Sequence, residues 1–114
     1  DGIAVKQPRD LTYDLCEKYV DEIVTVTDDE ISTAILMLID QQKMIVEGAG
    51  AVAFAAALFN KVDAKGQKVA SLVSGGNMYV TILSRVISRG LLKTGRSADI
   101  TIELVDKPGQ LSDV

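Results

Sequence analysis

Two short runs hold the residues whose types and spacing could do chemistry: Ser74-Gly75-Gly76-Asn77 and Glu47-Gly48-Ala49-Gly50. The first follows the apolar run Lys68 to Val73 and precedes a helical pattern, so Ser74 falls at the carboxyl end of a predicted strand and at the mouth of a helix. That is where ligands bind in open α/β sheets. Gly75 and Gly76 carry no side chains, which lets backbone lie close to a flat ligand. Read alone, the same four residues are more simply a tight strand-to-helix turn capped by Ser or Asn. Neither glycine-rich nucleotide fingerprint is present. In the second run an acid and three small residues open an apolar helix. A carboxylate there complements the helix dipole, and beside a cofactor it could accept hydrogen bonds.

Other reactive patterns are absent or have plainer readings. The chain has no histidine, which rules out Ser-His, Cys-His and His-metal arrangements within this segment. Its single cysteine, Cys16, excludes a disulfide framework and a cysteine zinc site and reads as core. Met37, Met44 and Met78 read as packing. Asp28-Asp29-Glu30 suits helix-start electrostatics without a metal, and Asp14, Glu17, Asp21 and Glu22 suit a solvated face.

The elements that must position these residues follow from periodicity. Leu11, Leu15 and Tyr19 predict a helix over about Leu11 to Lys18 with Asp10 as N-cap. After the β-branched run Glu22 to Val26, Thr27 and Glu30 have capping-box spacing, with Val26 and Ile31 as a hydrophobic staple. Ile31, Ala34, Ile35, Leu38 and Ile39 then mark a helical face. Glu47 to Phe59 is apolar all round, which predicts a helix buried all round. Asn60 to Gln67 reads as a surface turn. Lys68 to Val73 reads as a central strand of a parallel sheet. Val80, Leu83, Val86 and Ile87 line a last helix that stops at Gly90, a residue suited to a left-handed end. Leu91 to Ser97 reads as a linker. Ile100, Ile102 and Leu104 alternate with polar neighbours as a half-buried strand, and Asp106-Lys107-Pro108-Gly109 is a turn before a possible helix start.

Composition fits an ordinary globular chain: 114 residues, 47% hydrophobic and 25% charged, with a net charge of −4. Interspersed lysines and arginines form no basic stripe, which argues against nucleic-acid partners. No apolar run reaches the roughly 20 residues that span a bilayer, and the first residues do not read as a signal peptide. Cytoplasm is the default compartment. The chain opens on Asp and not Met, the pattern of a truncated or processed protein.

Taken in order and interval, Asp1-Gly2-Ile3-Ala4-Val5, Tyr19 to Val26, Glu47-Gly48-Ala49-Gly50-Ala51 and Ser74-Gly75-Gly76-Asn77 resemble the fold-type II pyridoxal-phosphate enzymes. Within them the chain is most similar to the catabolic-type threonine dehydratases (threonine ammonia-lyases), with serine racemase and serine dehydratase as relatives. The resemblance covers about residues 1–95 and implies the carboxy-terminal portion of a catalytic domain. Its fold would be α/β, tryptophan synthase β-like, a mostly parallel sheet with covering helices. Residues 96–114 look like the first strand and helix start of an ACT domain, a ferredoxin-like amino-acid sensor, here incomplete.

The resemblance also implies roles. Ser74 would hydrogen-bond the pyridine nitrogen of pyridoxal 5'-phosphate. A neutral hydroxyl does not hold that nitrogen protonated as a carboxylate does, which favours β-elimination over transamination. Gly2 would lie with its backbone against the ring, Gly75 and Asn77 would complete the turn, and Glu47 would stand near the ring edge. Asp106, Pro108, Gly109 and Leu111 would belong to an effector site. The family reaction converts L-threonine to 2-oxobutanoate and ammonia, and L-serine to pyruvate and ammonia. Its Schiff-base lysine and phosphate loop lie upstream of the Asp-Gly-Ile segment, so this chain alone is expected to be inactive, and its parent to be a homo-oligomer, a dimer or tetramer. Two departures leave substrate preference open: Met78-Tyr79 where an aliphatic residue and an aspartate are usual, and Pro8-Arg9 where Pro-Gly is common. An amino-acid-sensing regulatory unit and a non-catalytic paralogue are the alternatives.

Overall fold

The computed structural model describes residues 3, 5–104 and 109. Four α-helices account for its regular structure: α1 (Asp10–Tyr19), α2 (Asp28–Met37), α3 (Gly48–Leu58) and α4 (Val80–Lys93), with a π-helical turn over Leu38–Gln42 continuing α2. The start of α2 is fixed as its local sequence dictates. The Thr27 hydroxyl accepts from the Glu30 N–H at 3.3 Å, and the Glu30 carboxylate accepts from the Thr27 N–H at 2.8 Å. Two donors that the first turn would otherwise leave unpaired are thereby satisfied.

α2 is the centre of the packing and touches both α3 and α4. Ile35, Leu38, Val46 and Ala51 form the buried cluster, with Ile31, Phe54, Val73, Met78 and Val86 packed around it. α2 and α4 run in the same direction: Asp29 meets Arg89, Ser32 and Leu36 meet Gly90, and Asp40 meets Arg96. The contact at Gly90 is close, for a methyl added there would stand 3.1 Å from Leu36 Cβ and from the Ser32 carbonyl oxygen. Ion pairs flank it. Asp29 takes Lys93 at 2.8 Å and Arg89 at 2.5 Å, while on the side of α3 Glu30 takes Lys61, just past that helix, at 2.8 Å.

Several expectations need correction. Gly90 does not end α4. It is buried against α2 within a helix that runs on to Lys93, so part of the expected linker is helical, and the left-handed end belongs to Gly95 at φ +70. There the Gly95 N–H donates to the Leu92 carbonyl and the Arg96 N–H to the Leu91 carbonyl, closing the helix. Asp10 is the first residue of α1, and Arg9 is its N-cap. Cys16 is exposed, because no described element packs on α1. α3 is buried along one side only, at Gly50, Ala51, Ala55 and Ala56, while Ala53 faces out, since α2 covers a single face.

No strand occurs among the described residues. Lys68–Val73 and Ile100–Leu104 lack ladder hydrogen bonds, because a strand needs a neighbour and no described segment lies alongside either. Leu72 and Ile100 are each 80% exposed, against the burial expected of them. The Cα radius of gyration is 19.6 Å, where a compact chain of this length has about 13 Å. No helix among the described residues is long and apolar enough to cross a membrane.

Candidate functional site

The two runs singled out by chemistry meet in space. Glu47 occupies the N-cap of α3, and its N–H donates to the Gly75 carbonyl at 3.0 Å. The Glu47 side chain makes no cap hydrogen bond to its own helix. It lies across Gly75 instead, where a methyl group would overlap its carboxylate and stand 2.8 Å from its Cγ. Gly75 has φ +76, a conformation that glycine adopts without steric cost. The backbone conformation therefore favours glycine here, and the Glu47 side chain fills the space its missing Cβ leaves.

Ser74 sits one residue earlier, with its carbonyl against Gly50 in the first turn of α3. Its side chain is exposed, and among the described residues no hydrogen bond uses its hydroxyl. The hydroxyl is free to donate or accept. Beyond it the Met78 N–H donates to the Gly76 carbonyl at 2.8 Å, tightening the turn before α4 begins. At Gly76 a methyl would find only the Ile45 carbonyl oxygen, at 3.8 Å, so that side of the turn is open.

A cleft of about 640 Å³ opens beside this turn, lined by Glu47, Gly48, Ala49, Asn77, Met78 and Tyr79. That volume lies within the range of small-molecule sites. Among the described residues Glu47 is its only charged lining residue. A second groove of about 510 Å³ meets it at the first turn of α3 and runs between α2 and α4, over Ile31, Ile35 and Val86. Of the residues expected in the site, Glu47, Ser74, Gly75 and Asn77 are thus brought together around the first turn of α3. Asn77 lines the cleft; Ser74 stands at the turn above α3 and does not line it.

Gly2, Asp106, Pro108 and Leu111 lie outside the described residues. Gly109 is in a turn at φ +91. No group of three or more acidic or cysteine side chains among the described residues could hold a metal. Sequence reasoning placed Gly50 among the small residues of a helix that neighbouring backbone could approach closely, without giving it a role of its own. The available signal was a helix-weakening glycine inside an alanine-rich helix.

A profile described as pyridoxal-phosphate dependent enzyme matches residues 1–75, about two thirds of the chain, including Glu47, Ser74 and Gly75, and the chain belongs to this family. Among particular relatives, L-threonine ammonia-lyase of Thermotoga maritima is 53% identical over 114 residues, 100% of this chain. L-threonine ammonia-lyase of Geobacter sulfurreducens is 44% identical over 112 residues, 98% of this chain. The catabolic L-threonine dehydratase TdcB of Escherichia coli K12 is 41% identical over 88 residues, 75% of this chain. The chain spans 28% of the length of each of the first two relatives and 27% of the third.

Proposed function

We propose that the parent of this chain is a pyridoxal-phosphate-dependent carbon-nitrogen lyase that deaminates L-threonine to 2-oxobutanoate and ammonia, and L-serine to pyruvate and ammonia as a lesser reaction. The observation that carries the reading is the match of every residue of the chain, at 53% identity, to a protein named L-threonine ammonia-lyase. Residues 1–95 would be the carboxy-terminal portion of the catalytic domain and 96–114 the beginning of an ACT domain.

In the assembled parent the extended, exposed residues of Lys68–Val73 would take their place in a mostly parallel sheet. The 53% exposure of Val69 and the 80% exposure of Leu72 support this, since apolar side chains on an extended segment gain from neighbouring strands. Ile100, Ile102 and Leu104 would do the same in the ACT sheet, with Asp106, Pro108, Gly109 and Leu111 at its effector site. The parent would be a homo-oligomer in the cytoplasm.

The residues present suit the cofactor. A turn locked by glycine, an unused and exposed hydroxyl, and an open side at Gly76 are what a flat pyridine ring requires of its support. When bound, pyridoxal phosphate supplies the electron sink that makes the Cα–H bond of an amino acid breakable. Ser74 would donate its hydroxyl hydrogen to the ring nitrogen without charging it. Gly2 and Gly75 would bring backbone against the ring, Asn77 would border it, and the Glu47 carboxylate would accept hydrogen bonds at its edge. The Schiff-base lysine would come from the part of the parent that precedes this chain. Overall, threonine is converted to 2-oxobutanoate and ammonia with no net gain or loss of water. The full-length parent, incubated with L-threonine, should release the two products in equal amounts and show the absorbance of bound cofactor. Absence of both would overturn the assignment.

A further inference from the structure

Glycine at the third position of α3 is less favourable than alanine by about 1 kcal/mol, and its surroundings supply the reason. A methyl group on Gly50 would overlap the Ser74 carbonyl oxygen, stand 2.6 Å from the Ser74 carbonyl carbon and lie 2.8 Å from Val46 Cγ1. The first two atoms are backbone, so no side-chain rotation relieves the clash. Gly50 is buried, which leaves the turn itself as the part that must move. One residue further on, the hydrogen bond from the Glu47 N–H to the Gly75 carbonyl ties the same turn to the same helix end. Ser74 is therefore held at a depth set by the absent side chain of Gly50.

We propose that Gly50 is a positioning residue for the cofactor: by lacking a Cβ it seats the Ser74 carbonyl on α3 and so fixes where the Ser74 hydroxyl meets the ring nitrogen. The inference rests on the assignment of Ser74 made above. Gly50 acts through Ser74 and not by touching the ring.

The test is titration of the full-length apoenzyme with pyridoxal phosphate, read by absorbance and fluorescence, for wild type, Ser74→Ala, Gly50→Ala and the double variant. Ser74→Ala should weaken binding up to about tenfold, the worth of a neutral hydrogen bond. Gly50→Ala should weaken it at least as much. The double variant should be no weaker than Gly50→Ala alone, because a displaced hydroxyl has nothing left to lose. Wild-type affinity in Gly50→Ala, or additive losses in the double variant, would overturn the proposal. Should Gly50→Ala prove unfolded by circular dichroism, hydrogen exchange on wild type and Ser74→Ala decides instead. Cofactor should slow exchange of the Glu47 and Ala51 amides several-fold in wild type and not in Ser74→Ala; equal slowing in both would refute the coupling. If Ser74→Ala binds cofactor as tightly as wild type, the Ser74 assignment itself fails. A weakened Ser74→Ala beside an unaffected Gly50→Ala removes Gly50 alone.

Discussion

Glu47, Ser74 and Gly75 owe their arrangement to what two glycines lack. Gly75 is held at φ +76 beneath the Glu47 side chain, so Gly75→Ala meets both backbone strain and a carboxylate. Removing the carboxylate relieves only one of these. Glu47→Ala combined with Gly75→Ala should therefore restore part of the stability that Gly75→Ala costs the full-length parent; no recovery at all would show that the φ constraint alone governs the turn. The meeting of Glu47 with the Ser74 turn was legible in the sequence only through resemblance. Nothing local in either run states that the other lies opposite. The part of Gly50 was illegible for the same reason, since a missing Cβ acquires meaning only from the carbonyl that takes its place.

Among the elements, α2 shows where local sequence suffices. Thr27 and Glu30 are three residues apart, so their reciprocal hydrogen bonds need no knowledge of the fold. Thr27→Ala should speed exchange of the first-turn amides of α2 about fivefold, matching the roughly 1 kcal/mol value of such a cap; an unchanged rate would mean that packing alone holds that end. α4 shows where local sequence fails. Gly90 has the composition of a helix stop, yet it serves close approach to Leu36 and Ser32, which come from far earlier in the chain. Gly90→Val should separate the two helices and reduce stability by about 1–3 kcal/mol, the usual cost of overpacking.

The ion pairs made by α2 have a pH signature. Hydrogen bonds from Lys93, then Arg89, hold the Asp29 carboxyl below its ordinary range, and Lys61, then the Thr27 N–H, do so for Glu30. A lowered folded-state pKa stabilises the fold above the ordinary carboxylate value, and the contribution disappears as pH falls through the folded-state value. The contact of α2 with α4 at Asp29, and its tie at Glu30 to the segment after α3, should therefore loosen below about pH 4. Asp29→Asn should flatten that acid response in a melt series; an unaltered response would place its origin elsewhere.

At the scale of the whole molecule the chain has a small core around α2 and large apolar surfaces outside it. Leu11 and Tyr19 on α1 are 71% and 67% exposed, and no described element covers them. A 10-residue helix in that position has little to hold it. The chain by itself should self-associate or remain partly unfolded, and its α1 amides should exchange far faster than those of α2; a monodisperse, cooperatively melting monomer would contradict this. Periodicity located the helices but not the missing neighbours of Lys68–Val73, because pairing is a property of two segments. The central claim is that the Ser74 turn, seated on α3, holds a cofactor ring through a neutral hydroxyl. It is tested most directly by the ring-nitrogen NMR shift of 15N-labelled pyridoxal phosphate bound to the full-length parent. The prediction is an unprotonated, hydrogen-bonded nitrogen whose shift moves in Ser74→Ala and becomes that of a protonated ring in Ser74→Asp. A protonated nitrogen in the wild type, or a shift indifferent to both substitutions, would contradict it.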